Sequence, residues 1–329
     1  MITIKDIAQE AGVSSMMVSR VINKRYDQVS AENIERIEAI IKKHNYIPNS
    51  AARSLSSKTS RIIAIFIQGD ASELYRPYNA AMLGNLMQSI QQQGYDAMAH
   101  FVHDYSEVFD KLRSWKAAGA IFFGMFTKDL LQIQSQAEVP FVFTDCYSDT
   151  WQFANIGIDD YKGGVLAAQH LLNCGHKAFA LVGEYINSSP LAQRRLKGFR
   201  DTLLAAGMEF GPERVVEFNE PDTEGRLLQL KKEHLAVFVL SDMLAVHLIK
   251  EMADRGYRVP DDLSFIGFDN LYISHMMNPG LTTISQDLPQ KAAAAVKLLF
   301  QYMKYEDFPV QNIALDVSLV DRDTVKVFK

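Results

Sequence analysis

Cysteine is scarce in this 329-residue chain: Cys146 and Cys174 are the only two. Their separation fits no zinc-site spacing, and two thiols cannot build the disulfide framework of a small secreted domain. Both are expected to be buried and reduced. No stretch reaches the ~18 apolar residues that a membrane span requires, and Lys5 and Asp6 interrupt any apolar run that could act as an amino-terminal signal. A cytoplasmic protein without a membrane partner is the expectation. Several chemical signatures are also missing. There is no Gly-x-Gly-x-x-Gly after a strand, no phosphate loop ending in Gly-Lys-Ser/Thr, no His-Glu-x-x-His and no Gly-x-Ser-x-Gly elbow. The eight histidines make no metal-like cluster. These absences argue against an enzyme, which would need residues brought together only by folding, and against a metal or a cofactor.

What is present describes a globular protein with ample core: 48% hydrophobic and 22% charged residues, long enough for two or three domains. The net charge of −5 hides an asymmetry. Residues 1–60 carry nine Lys/Arg against six Asp/Glu, whereas the remainder carries 25 against 33. A small basic head on a large acidic body implies that only the head approaches a polyanion.

The head reads as three helices. Thr3 is placed to cap the first, with Asp6 three residues on in capping-box fashion, and Ile4, Ile7 and Ala8 share one face. The helix should end near Ala11, where Gly12 supplies a left-handed turn residue. Ser14 caps a second helix that buries Val18, Val21 and Ile22 and leaves Ser15, Met16, Ser19 and Arg20 outward. Two helices on a glycine turn form either an ordinary helical hairpin or a helix-turn-helix, whose second helix enters the DNA major groove. Ser30 caps a third helix to about Lys43, with Ile34, Ile37, Ile40 and Ile41 closing the core. Pro48 stops the pattern, Asn49 caps a brief segment through Leu55, and residues 56–60 read as a linker.

From Arg61 onward, short apolar runs alternate with helices. Strands are expected at 62–67, 96–101, 120–123, 141–144, 179–182, 215–218, 237–240 and 264–267. Helices are expected at 78–93, 106–118, 161–174, 191–206, 223–233, 245–255 and 289–302. Such alternation implies parallel sheets with helices on both faces. About 270 residues are too many for one ordinary sheet, so two doubly wound lobes with a cleft between them follow.

The stretches Ile4-Lys-Asp-Ile-Ala8, Ala11-Gly-Val-Ser14, Val18-Ser-Arg-Val-Ile-Asn23 and Tyr46-Ile-Pro-Asn-Ser-Ala-Ala-Arg-Ser-Leu55 resemble the lactose-repressor (LacI/GalR) family of bacterial transcription regulators. The body resembles its regulatory domain through Arg195-Leu-Lys-Gly-Phe199, Ser241-Asp242, Val259 to Asp269 and Asn278 to Gln286. The resemblance implies an all-α helix-turn-helix head over residues 1–48, a hinge helix and linker over 49–60, and an α/β effector-binding and dimerisation body of periplasmic-binding-protein type over 61–329. The two lobes would comprise roughly 61–159 plus 288–312, and 160–287 plus 313–329, with three crossings near 159–161, 286–288 and 312–316. The last residues lack an added heptad helix, so a homodimer on a pseudo-palindromic operator is expected.

The resemblance assigns Ser15, Met16 and Arg20 to the bases, and Leu55, with Ala52 beside it, to a wedge in the minor groove. Arg20 has the fork that matches guanine O6 and N7, although a phosphate contact is its alternative. Thr3, Ser14, Ser19, Asn23 and Asn49 complete the DNA-side candidates. In the cleft the resemblance points to Arg195, Asp242, Asp269 and Tyr78 around a small sugar-like effector, while Arg195 and Asp269 could equally pair with one another. The family's Asn-Pro-Phe-Phe is here Arg76-Pro-Tyr-Asn79, so Arg76 either faces an anionic ligand or is a solvated loop residue. Phe126 and Trp151 follow strand ends and could stack on a sugar face. A sugar receptor would share this body; the basic head argues for a regulator, in which ligand changes the angle between the lobes and with it the hinge helices.

Replacing Arg20 by Ala should weaken binding to a selected operator by ~1–3 kcal/mol and relax preference at one base pair. Competition titration against single-base operator variants checks this. An equal loss on random DNA would make Arg20 a phosphate contact.

Overall fold

The computed structural model of the chain describes residues 2–46, 60–104, 106–124, 130–136, 138–146, 152–218, 222–231, 234–305 and 307–328. They fall into two units, Met1–Ser60 and Arg61–Lys329.

In the head, α1 (Ile4–Ala11), α2 (Ser15–Ile22) and α3 (Ala31–Lys43) form where the capping residues dictate. Thr3 accepts from the Asp6 N–H, and the Asp6 carboxylate accepts from the Thr3 N–H at 2.8 Å and its hydroxyl at 2.7 Å. Two orphan donors at the helix start are satisfied at once. Gly12 takes φ +64° after α1, a conformation that costs a residue with a Cβ. Ser14 and Ser30 cap α2 and α3 through the N–H groups of Met17 and Asn33. Ile7, Ala8, Ala11, Val18, Val21, Ile37 and Ile40 make the buried centre, and Ile4, Ile22, Ile34 and Ile41 pack around its rim. The candidates Asn49, Ala52 and Leu55, with the expected hinge helix and most of the linker, lie outside the described residues.

The second unit has two sheets. The first holds β1 (Ile62–Gln68), β2 (Asp96–Val102), β3 (Gly119–Phe123), β4 (Phe141–Thr144), β5 (Asn155–Ile158) and β11 (Asn312–Leu315), in the order β11-β5-β4-β3-β1-β2 and parallel throughout. Helices α4 (Pro77–Gln92), α5 (Ser106–Trp115), α6 (Leu130–Gln136) and α12 (Leu288–Lys304) go with it. The second holds β6 (Ala178–Gly183), β7 (Val215–Glu217), β8 (Leu235–Val239), β9 (Leu263–Asp269), β10 (Thr282–Ser285) and β12 (Ser318–Val320), in the order β12-β10-β9-β8-β6-β7, with only β12 antiparallel. Its helices are α7 (Asp160–Asn173), α8 (Pro190–Ala205), α9 (Thr223–Leu230), α10 (Asp242–Asp254) and α11 (Tyr272–Met276).

Strand alternation splits each sheet's apolar residues between two layers. Ile63, Ile65 and Ile67 pack with Met82, Leu86 and Ile90 of α4 and with α12, while Ala64 and Phe66 pack with Val108 and Leu112 of α5. Phe179 and Leu181 pack with α7 and α8, while Ala180 and Val182 pack with α10. A parallel sheet covered on both faces needs apolar residues on both, which is why its strands read as continuous apolar runs.

The chain passes between the sheets after β5, between β10 and α12, and between β11 and β12. Because β11 pairs with β5, residues 312–315 lie wholly in the first sheet, and the third passage falls at residues 316–317, at the end of the crossing expected near 312–316 and beyond the lobe bound of 312. Strands β5, β10, β11 and β12 had no counterpart in the pattern of apolar runs; each has only three or four residues. Helix α10 begins at Asp242, not at Ala245, because Ser241 caps it through the Leu244 N–H.

Two glycines fix how α7 and α8 cross. A Cβ on Gly164 would overlap the Arg195 carbonyl and reach 2.7 Å from the Phe199 nitrogen, and one on Gly198 would overlap the Tyr161 carbonyl. The backbones touch there, which sets the approach of Asp160 to Arg195. Gly164→Ala should therefore destabilise the body by about 1–3 kcal/mol or more through overpacking. A fall in the urea midpoint with unchanged slope is the expected record; a parent-like midpoint would show that the crossing yields.

Candidate functional site

Helix α2 presents the head's candidate reading face. Ser15 and Met16 are exposed, Met16 by 67%, and Ser19 and Arg20 are half-buried. The Asn23 amide donates to the Ser19 carbonyl at 2.7 Å, so it also ties off the end of α2. The Thr3 hydroxyl is engaged by Asp6, whereas Ser14 only accepts through its oxygen, and a serine hydroxyl that accepts still has its O–H to donate.

In the body, the carboxyl ends of strands from both sheets converge, the place where open α/β sheets take ligands. Asp145 follows β4 at φ +56°, Asp269 ends β9 at φ +120°, and Leu240 follows β8. Around them the structure assembles two buried ion pairs. Lys291, on the first turn of α12 and with its side chain fully buried, donates to both Asp145 oxygens at 2.5 and 2.6 Å. Its ammonium also donates to the Tyr78 phenol at 2.9 Å and to the Gln286 side-chain carbonyl at 3.0 Å. Tyr78 in turn donates to Asp145 at 2.7 Å, and Gln286 donates to Asp269 at 2.5 Å. The second pair is Arg195 with Asp160, at 2.8 Å. Arg195 also donates to the Leu240 carbonyl at 2.7 Å, and its guanidinium lies 3.5 Å from the Phe268 ring centre.

The candidates from sequence fare differently. Tyr78, Arg195 and Asp269 come together at this junction. Arg195 has Asp160 as its carboxylate partner, a residue the motifs did not single out. Asp242 is fully buried: one oxygen accepts from the Thr283 hydroxyl at 2.5 Å and the other from the Leu271 N–H at 2.8 Å. Its part is to hold the loop after β9, and its oxygens are not open to a ligand's hydroxyls, contrary to expectation. Arg76 lies at the head of α4, 55% exposed, 3.5 Å from Glu184 of the second lobe and 3.8 Å from Glu73. Phe126 and Trp151 lie outside the described residues. A cavity of about 220 Å³ beside Phe141, Phe153 and Tyr302 opens at the other end of β4 and has no charged lining.

Asp145, Asp160, Gln286 and Lys291 were missed. A signal existed for Lys291: a lone lysine among Leu288, Ala292, Ala295 and Leu299, on the buried face of a helix. A cation there must find a partner or lose its charge. Asp145 also stands directly after an expected strand.

Helix-turn-helix head and two-lobed body together define a DNA-binding regulator with a ligand site between the lobes of its body. The chain belongs to the lacI family of bacterial regulatory proteins. That family's description matches residues 3–49, and a periplasmic binding protein-like domain matches residues 168–325. The HTH-type transcriptional repressor PurR of Mannheimia succiniciproducens is 31% identical over 99% of both chains. The Lac repressor dimer bound to operator and the anti-inducer ONPF superposes with a TM-score of 0.83 at 27% identity, over 99% of both chains. The regulator CelR in complex with cellobiose shares the fold, with a TM-score of 0.72 at 24% identity over 98% of this chain and all of that one. Among the described residues no helix is long and apolar enough to cross a membrane.

Burial pushes the Asp269 carboxyl up to about 8, with the Arg195 charge opposing the shift and Asp242 adding to it. Burial likewise raises Asp242 to about 7, against its hydrogen bonds from Thr283 and Leu271. The folded chain thus keeps protons that the unfolded chain releases near the ordinary value of 3.8. Stability contributed by these groups falls as pH rises from that value through about 8. Burial lowers His170, His176 and His234, and their contribution, of opposite sign, fades as pH rises past their ordinary value of 6.5. Urea unfolding at pH 7.0 and 8.5 should show a loss on the order of 1 kcal/mol at the higher pH, and Asp269→Asn should flatten it. An unchanged slope in the variant would place the titration elsewhere.

Proposed function

We propose that this regulator is a dimeric, effector-controlled repressor that works in the cytoplasm, without a cofactor of its own and without catalysis. Residues 1–48 grip operator DNA, 49–60 form the hinge, and 61–329 bind the effector and the second subunit. Ser15, Met16 and Arg20 face bases; Thr3, Ser14, Ser19, Asn23 and Asn49 hold the backbone; Leu55, with Ala52 beside it, wedges the minor groove of a pseudo-palindromic site. The effector lies between the lobes against Tyr78, Arg195 and Asp269, with Phe126 and Trp151 as flanking aromatics.

A neutral carbohydrate suits this cleft best. The observation that carries the reading is the pairing of its cations: Lys291 with Asp145, Arg195 with Asp160, and Arg76 with Glu73 and Glu184. A phosphate or carboxylate would have to compete there with a protein carboxylate already in place. Hydroxyl groups need only hydrogen-bond partners, which Asp145, Asp269 and the Tyr78 phenol offer. CelR, whose fold is similar, is solved with cellobiose. Effector binding then shifts the balance between two lobe arrangements according to its affinity for each.

A thermal-shift screen of the full chain against neutral sugars, sugar phosphates, sugar acids and nucleosides tests this. A neutral sugar should raise the melting temperature, by an amount worth about 2.7 kcal/mol at a hundredfold excess over its dissociation constant. Hits confined to anionic compounds would overturn the neutral reading and return Arg76 and Arg195 to the centre of the site.

A further inference from the structure

The contacts around Lys291 do more than neutralise a charge. Followed in order, they run from the wall of one lobe to the wall of the other. Tyr78, at the start of α4, and Asp145, after β4, belong to the first lobe. Lys291 binds both and also the Gln286 carbonyl at 3.0 Å. Gln286 lies in the passage between β10 and α12, where the chain leaves the second lobe for the first. Its amide reaches Asp269 at the end of β9 in the second lobe, at 2.5 Å. Lys291, Gln286 and Asp269 are all buried, so water does not substitute for these links.

Other ties between the lobes are of a different kind. The Arg76–Glu184 pair is 3.5 Å long and half exposed, the sort of ion pair that contributes little. Leu271 and Ile273 of the second lobe pack into the apolar layer of the first, but no hydrogen-bonding ligand competes for that contact. The buried chain is the one whose acceptors, Asp145 and the Tyr78 phenol, are those a bound polyol would compete for.

We propose that Lys291 is a positioning residue that couples the polar wall of the cleft to the angle between the lobes, acting through Gln286 on Asp269. In the ligand-free protein its ammonium holds the first-lobe acceptors to the crossing segment and so draws the second lobe in. A ligand that takes Asp145 or Tyr78 loosens that hold. The link from lobe angle to operator affinity rests on the reading of the cleft as the effector site; the lobe geometry does not.

The test therefore needs no ligand. Spin labels are placed at Gln92→Cys in the first lobe and Glu209→Cys in the second, both exposed, while the buried Cys146 and Cys174 stay unlabelled. Labelled chains are diluted with unlabelled chains so that distances within one subunit dominate, and pulsed electron–electron resonance reads the separation. The single change Lys291→Met would leave Asp145 a buried charge without its partner and is expected to fold poorly. Two other variants cut the chain without that penalty. Gln286→Leu keeps the Lys291–Asp145 pair, and Asp145→Leu with Lys291→Met removes both charges together. Each should lengthen and broaden the separation relative to the parent. A parent-like or shorter separation in folded Gln286→Leu overturns the proposal, whatever the double variant does, because an ion pair that only stabilises the first lobe leaves the angle unmoved. A sugar screen without hits would count against the effector reading alone, since the separations are measured on the ligand-free chain.

Discussion

Charge compensation within each lobe, at the junction where the two meet, is the constraint on which the rest of the body depends. Two cations are taken out of water where the sheets' carboxyl ends converge, and each has a carboxylate within 2.8 Å. A buried ion pair contributes little net stability compared with a well-packed apolar substitute, but leaving one partner alone costs about 3–5 kcal/mol. The pairs therefore act less as glue than as a register: only an arrangement that brings Asp145 to Lys291 and Asp160 to Arg195 is allowed. The glycine contacts of α7 and α8 serve this end. With Gly164 against the Arg195 carbonyl, the two helices approach closely enough for Asp160, on the first turn of α7, to meet the guanidinium.

Two acids of the second lobe stand outside these ion pairs. Asp242 and Asp269 are buried, influence one another and are pushed toward the protonated state. Asp242 resolves this by spending its oxygens on Thr283 and Leu271, which shapes the loop after β9. Asp269 accepts from the Gln286 amide and holds a backbone at φ +120°, a conformation that a residue other than glycine holds only when its surroundings enforce it.

Much of this was legible in the chain. The head was read almost residue by residue, since its signals are local: Thr3 with Asp6, Gly12, Ser14 and Ser30 each act within four residues of themselves. The long buried strands announced themselves as apolar runs. Strands β5 and β11, Asn-Ile-Gly-Ile and Asn-Ile-Ala-Leu, did not, because four residues carry too little periodicity and their pairing is with each other across the whole body. The start of α10 was placed late for a related reason. Apolar spacing begins at Ala245, but the helix begins at its cap, Ser241, and that shift moves Asp242 from an open strand end into a buried first turn. Tyr78, Arg195 and Asp269 came from a resemblance between motifs, whereas Lys291 and Asp145 are 146 residues apart and no local rule pairs them.

That distance carries a consequence for how the family's body is specialised here. A sugar site can be retuned by exchanging residues that touch the ligand, and the change from Asn-Pro-Phe-Phe to Arg76-Pro-Tyr-Asn79 looks at first like such an exchange. Its arginine, however, is half in solvent and spread between two glutamates, where screening leaves it little to contribute. The tyrosine of the same tetrapeptide is the informative member, since its phenol both receives from Lys291 and donates to Asp145. A phenylalanine there would leave the ammonium with Asp145 and Gln286 alone and would take a hydroxyl donor from Asp145. Tyr78, Asp145 and Lys291 thus form one hydrogen-bonded unit, and the departure from the family pattern lies in that buried unit more than in the exposed charge beside it.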